Sequence, residues 1–118
     1  MGALATRSAE IVAQLDAAGI RATDDPRAVL PPCALVGPPT LQPSNIGGCA
    51  YDATWRIDLI GVASGGIQAF QSLDDLLENV LPLLPGYEIA TPGTWLLSGG
   101  GDPLPSYTVN WMEAVPWP

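Results

Sequence analysis

The side chains that most often carry chemistry are scarce in this chain. The sequence has no histidine, and all of its four cationic residues are arginine, so it also has no lysine. Histidine is the only side chain whose unperturbed pKa lies near neutrality, so the usual general base and the commonest metal ligand are both missing. Serine and cysteine are present, but no histidine or lysine is available to activate them as nucleophiles. The composition therefore favours a protein that makes and breaks no covalent bond.

Two pairs of adjacent carboxylates are the remaining candidates for acid–base chemistry. Asp74 and Asp75 fall in a predicted helix, where neighbouring residues point in different directions, so they would not converge on one substrate. Asp24 and Asp25 precede Pro26 in a segment typical of a turn, where solvated acids are common. A small carboxylate-dependent hydrolase acting through Asp24 or Asp25 stays a remote alternative.

Phosphate-binding and metal-binding motifs are also missing from the sequence. The glycine run 99–101 is followed by neither the helix, the lysine nor the Ser/Thr of a phosphate-binding loop, and it is typical of a hairpin connection. No Asp-rich loop has the spacing of a calcium site. Cys33 and Cys49 form no metal-ligand pattern, and we expect two reduced, buried thiols, with a disulfide between them as the less favoured alternative. We therefore expect no metal and no cofactor.

Length and charge indicate one domain that works with partners. The 118 residues are close to the common size of a single domain, so we expect residues 1–118 to form one. Charged residues make up 14% of the chain, against roughly 25% in ordinary soluble domains. Such a weakly charged surface is typical of a protein partly covered by other subunits. The net charge of −8 disfavours direct binding of a phosphate backbone, although it allows nucleic acid to pass without sticking, and it also aids solubility.

No targeting or membrane-spanning segment is expected. The first fifteen residues contain Arg7 and Glu10 and lack the apolar stretch of a signal peptide. No run approaches the ~20 apolar residues that a membrane-spanning helix needs.

Two amphipathic helices are predicted. The first follows a helical repeat from Leu4 to Ala18, with Gly19 as a left-handed cap and Ile20 folding back onto Leu15. The second carries apolar residues at helical spacing over 72–81. Its start is open, because Ser72 and Asp75 resemble a capping box whereas Phe70 extends the apolar stripe backward by a turn.

The other periodic segments predict strands at 20–23, 33–36, 53–63, 87–97 and 106–114. Residues 91–93 are expected to interrupt the fourth of these, and 98–103 to connect the last two as a hairpin. A long polar loop is expected at about 38–50, and 115–118 form a terminal extension. The order α-β-β-β-α-β-β predicts an α+β fold in which one mostly antiparallel sheet carries two helices on a single face. The tryptophans are expected chiefly in the core.

This order of segments resembles the tail terminator proteins of long-tailed, siphovirus-type bacteriophages. The resemblance rests on the first helix ending at Gly19-Ile20, the Pro-Pro-Cys-Ala-Leu-Val-Gly-Pro-Pro segment at 31–39, the polar loop, the strand 54–63, the Leu-rich helix and the closing strands. The absence of lysine and the abundance of Ala, Gly, Pro and Arg resemble proteins of phages that infect actinobacteria. The likeness spans the whole chain and lies in the order and the composition of its segments.

The resemblance implies a structural role in the virion. Such proteins form a ring, typically a hexamer, that caps the tail tube, ends its polymerisation and joins the tail to the neck, while DNA passes through the hole. The implied partners are further copies of the chain, the tail tube protein and the head–tail connector, with no membrane, and assembly occurs in the host cytoplasm. A neck or head-completion protein and a binding module that recognises a peptide by strand addition are alternatives. The expected assembly contacts are Thr40, Gln42, Ser44, Asn45, Ile46, Gly99, Gly100, Asp102 and Trp117.

Overall fold

Two α-helices and a six-stranded mixed sheet make up the part of the chain that the computed structural model describes, residues 3–43, 50–62, 67–95 and 104–116. The helices are α1 (Ala3–Ala17) and α2 (Ile67–Val80). Short 3-10 turns lie at Pro26–Ala28 and Leu81–Leu83. The strands are β1 (Ala22–Thr23), β2 (Cys33–Val36), β3 (Thr40–Pro43), β4 (Ala50–Ile60), β5 (Ile89–Trp95) and β6 (Leu104–Pro116).

The centre of the sheet is the long antiparallel pair of β4 and β6. This pair runs from Ala50 opposite Pro116 to Ile60 opposite Ser106. The strand order is β1-β2-β4-β6-β5, and β3 pairs with β4 beside β2. All these pairs are antiparallel except β1 with β2, which is parallel. The predicted α+β class and the mostly antiparallel sheet are confirmed, and the parallel pair makes the sheet mixed.

The predicted polar loop at about 38–50 is wrong at both of its ends. Thr40–Pro43 forms β3, and β4 already begins at Ala50, so the order contains one strand more than predicted. Three residues separate β2 from β3, whereas only two separate their partners Ile57 and Thr54 on β4. The extra residue forms a β-bulge at 37–39, where two prolines lack the N–H needed to continue the ladder. The sequence of this segment looked like a loop because of those prolines.

The first helix ends as its sequence predicts. Gly19 has φ +85°, which is the left-handed backbone that glycine adopts without strain. Its N–H donates to the carbonyl of Asp16 (3.0 Å), and the Ile20 N–H donates to the carbonyl of Leu15 (3.0 Å). These two bonds define a Schellman motif. Ile20 and Leu15 are both buried, so the cap also fixes α1 on the sheet.

The second helix begins before the predicted 72–81. It spans Ile67–Val80, so Ser72 and Asp75 lie inside the helix and are not its capping box. The apolar stripe that includes Phe70 was the better guide to its start.

The predicted interruption at residues 91–93 is also wrong. Strand β5 continues through them, with Pro92 opposite Tyr107. Proline is tolerated because β5 is an edge strand, where its missing N–H can face away from the partner strand. The antiparallel pairing of β5 with β6 is as predicted, whereas residues 96–103, which include the predicted hairpin connection, lie outside the described residues.

Both helices pack on one face of the sheet, as predicted, and form the main core with it. Trp55 is completely buried in this core and Trp111 is 9% exposed, which confirms the prediction that tryptophans fill the interior for these two. Inward-facing residues alternate along β4 and β6, which places their neighbours on the opposite face of the sheet. The main buried members are Ile11, Leu15, Ile20, Ala34, Val36, Ala53, Trp55, Ile57, Leu59, Leu73, Leu76, Val80, Leu84, Val109 and Trp111.

Candidate assembly surface

Among the described residues, cover over the face of the sheet opposite the helices is found at one end only. There a second, smaller cluster of buried residues joins β2, β4 and β6 to the segment that precedes β2, and Trp95 packs against it. We call the remainder the open face. Register and alternation place its side chains side by side, and they are exposed or half-buried: Thr40, Gln42, Thr54, Arg56, Ile89, Thr91, Asn110 and Met112.

Two large apolar side chains stand out on the open face. Ile89 is 53% exposed and Met112 is 46% exposed. Ile89 pairs with Asn110, and Met112 follows two positions later on the same face, so the two are diagonal neighbours. Polar residues surround them, with Thr54 directly opposite Met112. An exposed apolar pair with a polar rim is typical of an interaction surface.

The edges of the sheet offer little for strand addition. On β5, Pro92 removes one backbone donor from the outer edge. At the other edge β1 is only two residues long, and the N–H of Ala22 is taken by the Asp16 carboxylate (3.2 Å). Strand β3 ends at Pro43. Among the described residues the seven-residue edge strand β5 is the longest segment with a neighbour on one side only, and the next is 111–116 of β6, which ends in Pro116.

A cavity of about 280 Å³ lies at the covered end of this face. We call it the Trp95 pocket. Its walls are mostly apolar and include Pro26, Leu35, Pro38 and Trp95, and its polar residues are Asp24, Arg56 and Asp58. Such a mixture of an aromatic wall and a few polar groups is typical of sites that receive a side chain or a small ligand.

The buried carboxylate of the pocket is already satisfied within the chain. Asp58 is 4% exposed, and its Oδ1 accepts a hydrogen bond from the Thr108 hydroxyl (2.6 Å). The Nε of Arg56 lies 3.4 Å from its Oδ2, while most of the Arg56 side chain is exposed. Because the negative charge is compensated, the pocket has no strong demand for a cation.

A second polar cluster fixes α1 to the helix-covered face. The Nε of Arg7 lies 2.8 Å from Oε1 of Glu113, and the Nη2 of Arg7 lies 3.0 Å from Oε2 of Glu113. The indole N–H of Trp55 donates to the same Oε1 (3.0 Å), and the guanidinium lies 5.7 Å from the ring centre of Trp111. The hydrogen bonds to Glu113 raise the pKa of Arg7 above its usual value. These contacts are all internal, so the cluster stabilises the fold and presents no site.

The carboxylate pairs show no arrangement suited to acid–base chemistry. Asp25 caps the 3-10 turn by accepting from the N–H of Arg27 (2.9 Å), and that bond lowers the pKa of Asp25. Asp24 accepts from the Ser8 hydroxyl (3.3 Å). Asp74 and Asp75 are exposed neighbours on α2. A carboxyl that acts as a general acid near neutral pH usually has a raised pKa, and the pKa of Asp25 is shifted the other way.

Cysteine and metal chemistry find little support in the described ranges. Cys33 is a free, fully buried thiol whose pKa is raised by burial. Cys49 lies outside the described residues, so its predicted state is not addressed. No group of three metal-binding side chains occurs in the described part of the chain.

Of the predicted assembly contacts, the structure places two. Thr40 and Gln42 are exposed on β3, at one side of the open face. Ile89, Met112 and the Trp95 pocket were missed, although the alternation of Met112 with the buried Trp111 was a usable signal. The other predicted contacts lie outside the described residues: Ser44, Asn45, Ile46, Gly99, Gly100, Asp102 and Trp117.

Comparison with known proteins gives no relative. No family model, no curated protein and no solved structure matches the chain. Within the described ranges, neither helix has the length and apolar character needed to cross a membrane.

Proposed function

We propose that this chain is a structural virion protein of a long-tailed bacteriophage. In this proposal copies of the chain form a hexameric ring that caps the tail tube, ends its polymerisation and joins the tail to the neck. Its partners are other copies of itself, the tail tube protein and the head–tail connector. The ring lies at the head–tail junction, and DNA passes through it without being bound.

The observation that carries the proposal is the open face. A sheet of this kind is stable when one face is covered by helices, so the chain can fold alone and still present its second face. Ile89 and Met112 keep about half of their surface exposed there. Burial of apolar surface is the main driving force of most protein association, which makes this face the part of the described structure best suited to contact another subunit.

The distribution of charge is compatible with a lumen that DNA crosses. Five exposed carboxylates lie on the helices, whereas the one helical cation on that layer, Arg7, is paired with Glu113. Turned toward a channel, these carboxylates would repel a phosphate backbone and keep DNA mobile. The five are Glu10, Asp16, Asp74, Asp75 and Glu78.

The test is to image phage particles assembled without this protein. Loss of a terminator gives overlong tails, because the tube continues to polymerise. Loss of a neck or head-completion protein, the closest alternative, gives tails of normal length that are not joined to heads. Tails of normal length on complete particles would contradict both functions.

A matched pair of variants connects this test to the open face. Met112→Glu places a charge on the open face, and Ala13→Glu places the same charge at an exposed position of α1. We expect Met112→Glu particles to show the defect of the deletion and Ala13→Glu particles to be normal. Equal behaviour of the two variants would show that the open face is not the contact.

A further inference from the structure

We infer that the Trp95 pocket of one copy receives Trp117 of the next copy, so that subunits join head to tail. The inference rests on the proposed function in requiring several copies of the chain, and it specifies the contact between them. The pocket provides one half of the joint, and the segment that follows β6 provides the other half.

The size and lining of the pocket fit one large aromatic side chain. Its volume of about 280 Å³ lies just below the range of roughly 300–1,000 Å³ for small-molecule sites. An engineered apolar cavity of about 150 Å³ already holds benzene, so there is room for the larger indole. Trp95 and Leu35 supply apolar walls, and an aromatic pair gains energy beyond the area it buries. The exposed carboxylate side of Asp24 offers an acceptor for the indole N–H.

The pocket cannot be filled by Trp117 of the same copy. Arg56, the β4 residue of the pocket nearest to that end of the sheet, lies six positions from Ala50, and Ala50 pairs with Pro116. At about 3.3 Å per residue this separates the pocket from the end of β6 by about 20 Å. Trp117 follows Pro116 directly, and one or two extended residues span at most about 7 Å. The pocket is therefore beyond the reach of Trp117 of the same copy.

That separation produces a contact of the kind a ring needs. When Trp117 of one subunit enters the Trp95 pocket of its neighbour, the two contacting surfaces are different and the contact is heterologous. Repeated contacts of this type close into a ring if the rotation between subunits is right. Prolines flank Trp117 on both sides and lack backbone donors, so the segment is suited to present a side chain and not to extend a sheet.

The binding half of the inference is tested with a peptide. A fluorescein-labelled peptide of residues 112–118 is titrated into the full-length Trp117→Ala protein, whose pocket has no tail to compete for it, and polarisation is measured. We expect saturable binding, weakened about 30-fold or more when the peptide carries alanine in place of tryptophan. Binding should also be lost with Pro38→Trp in the receptor, because Pro38 is exposed at the rim and the larger side chain enters the pocket. Asp74→Trp on the outer side of α2 is the control and should bind normally.

Mixing variants then tests the head-to-tail arrangement. The Trp117→Ala variant keeps only the pocket, and the Pro38→Trp variant keeps only Trp117. In sedimentation measurements each variant alone should stay monomeric, whereas the mixture should form a 1:1 pair at the concentrations where the peptide binds. No peptide binding up to millimolar concentration, or equal binding of the tryptophan and alanine peptides, overturns the inference. Peptide binding together with normal tails in particles lacking the protein would instead refute the proposed function and leave the pocket assignment standing.

Discussion

Among the polar side chains that link α1 to the sheet, Glu113 should be the one whose replacement by alanine destabilises the fold most. Glu113 accepts from Arg7 through both carboxylate oxygens and from the indole N–H of Trp55. Trp55 is completely buried, and in the folded protein its N–H is satisfied by Glu113. The substitution therefore removes an ion pair and leaves a buried donor unsatisfied.

The magnitude follows from these two losses. An unsatisfied buried donor costs about 1–3 kcal/mol. The side chains of Arg7 and Glu113 are 28% and 18% exposed, so their ion pair is partly screened and adds about 1 kcal/mol. We expect Glu113→Ala to lower the free energy of unfolding by about 3 kcal/mol. Glu113→Gln keeps an oxygen for Trp55, and Arg7→Ala leaves the Trp55 bond intact, so each should cost about 1–2 kcal/mol.

The assay is urea unfolding followed by circular dichroism, which avoids the altered fluorescence of Trp55. The double variant Arg7→Ala/Glu113→Ala completes a cycle, and its cost should be about 1 kcal/mol less than the sum of the single variants. If Glu113→Ala costs no more than Glu113→Gln, the Trp55 bond contributes nothing. A coupling energy of zero would show that the ion pair of Arg7 with Glu113 is no more favourable than the contacts that the two groups make with water.

Three further predictions concern the core, the buried thiol and an acidic cap. Leu76→Ala, at a buried position of α2, should lower the free energy of unfolding in urea by about 2–5 kcal/mol. Leu77→Ala should lower it clearly less, because Leu77 is only half-buried, and equal losses would contradict the orientation of α2. In a Cys49→Ser background, Cys33 should react with a thiol reagent in urea but hardly at all in the native protein, and rapid labelling of the native protein would contradict its burial. Because burial raises the pKa of Cys33, its contribution to the free energy of unfolding should be complete below the pKa of the unfolded thiol and should be lost as pH rises through the pKa of the folded thiol. The pKa of Asp25 is lowered by the N–H of Arg27, so the contribution of Asp25 to stability should be present above its unfolded pKa of about 4 and be lost as pH falls through its folded pKa. Asp25→Asn should remove that part of the acid dependence of the free energy of unfolding. An unchanged acid dependence would refute the capping role of Asp25.

The sequence predicted those elements whose signals are local. The Schellman cap at Gly19 and Ile20 needs only a glycine and an apolar residue at set positions, and it was read correctly. Strand β3 was missed because a short strand beside two prolines resembles a loop until its partner is known. The continuation of β5 through Pro92 was missed for the same reason, since proline is acceptable only on an edge strand and edges are a property of the whole sheet.

The site was harder to predict than the fold. Thr40 and Gln42 are exposed as expected of contact residues, but the open face to which they belong is assembled from four strands that are distant in sequence. The Trp95 pocket likewise combines the segments around Asp24, Leu35, Asp58 and Trp95, and no spacing in the chain reveals that they meet. Surfaces built from non-local pairs become visible only when the register of the sheet is known.

Imaging of intact particles tests the central claim, that the chain acts by assembling at the end of a tail tube, most directly. Cryo-electron microscopy of virions that contain this protein should show a ring at the head–tail junction into which copies of this fold can be placed. Each copy should have the Trp95 pocket beside the 115–118 segment of its neighbour. Absence of the protein from mature particles, or its location away from that junction, would contradict the claim.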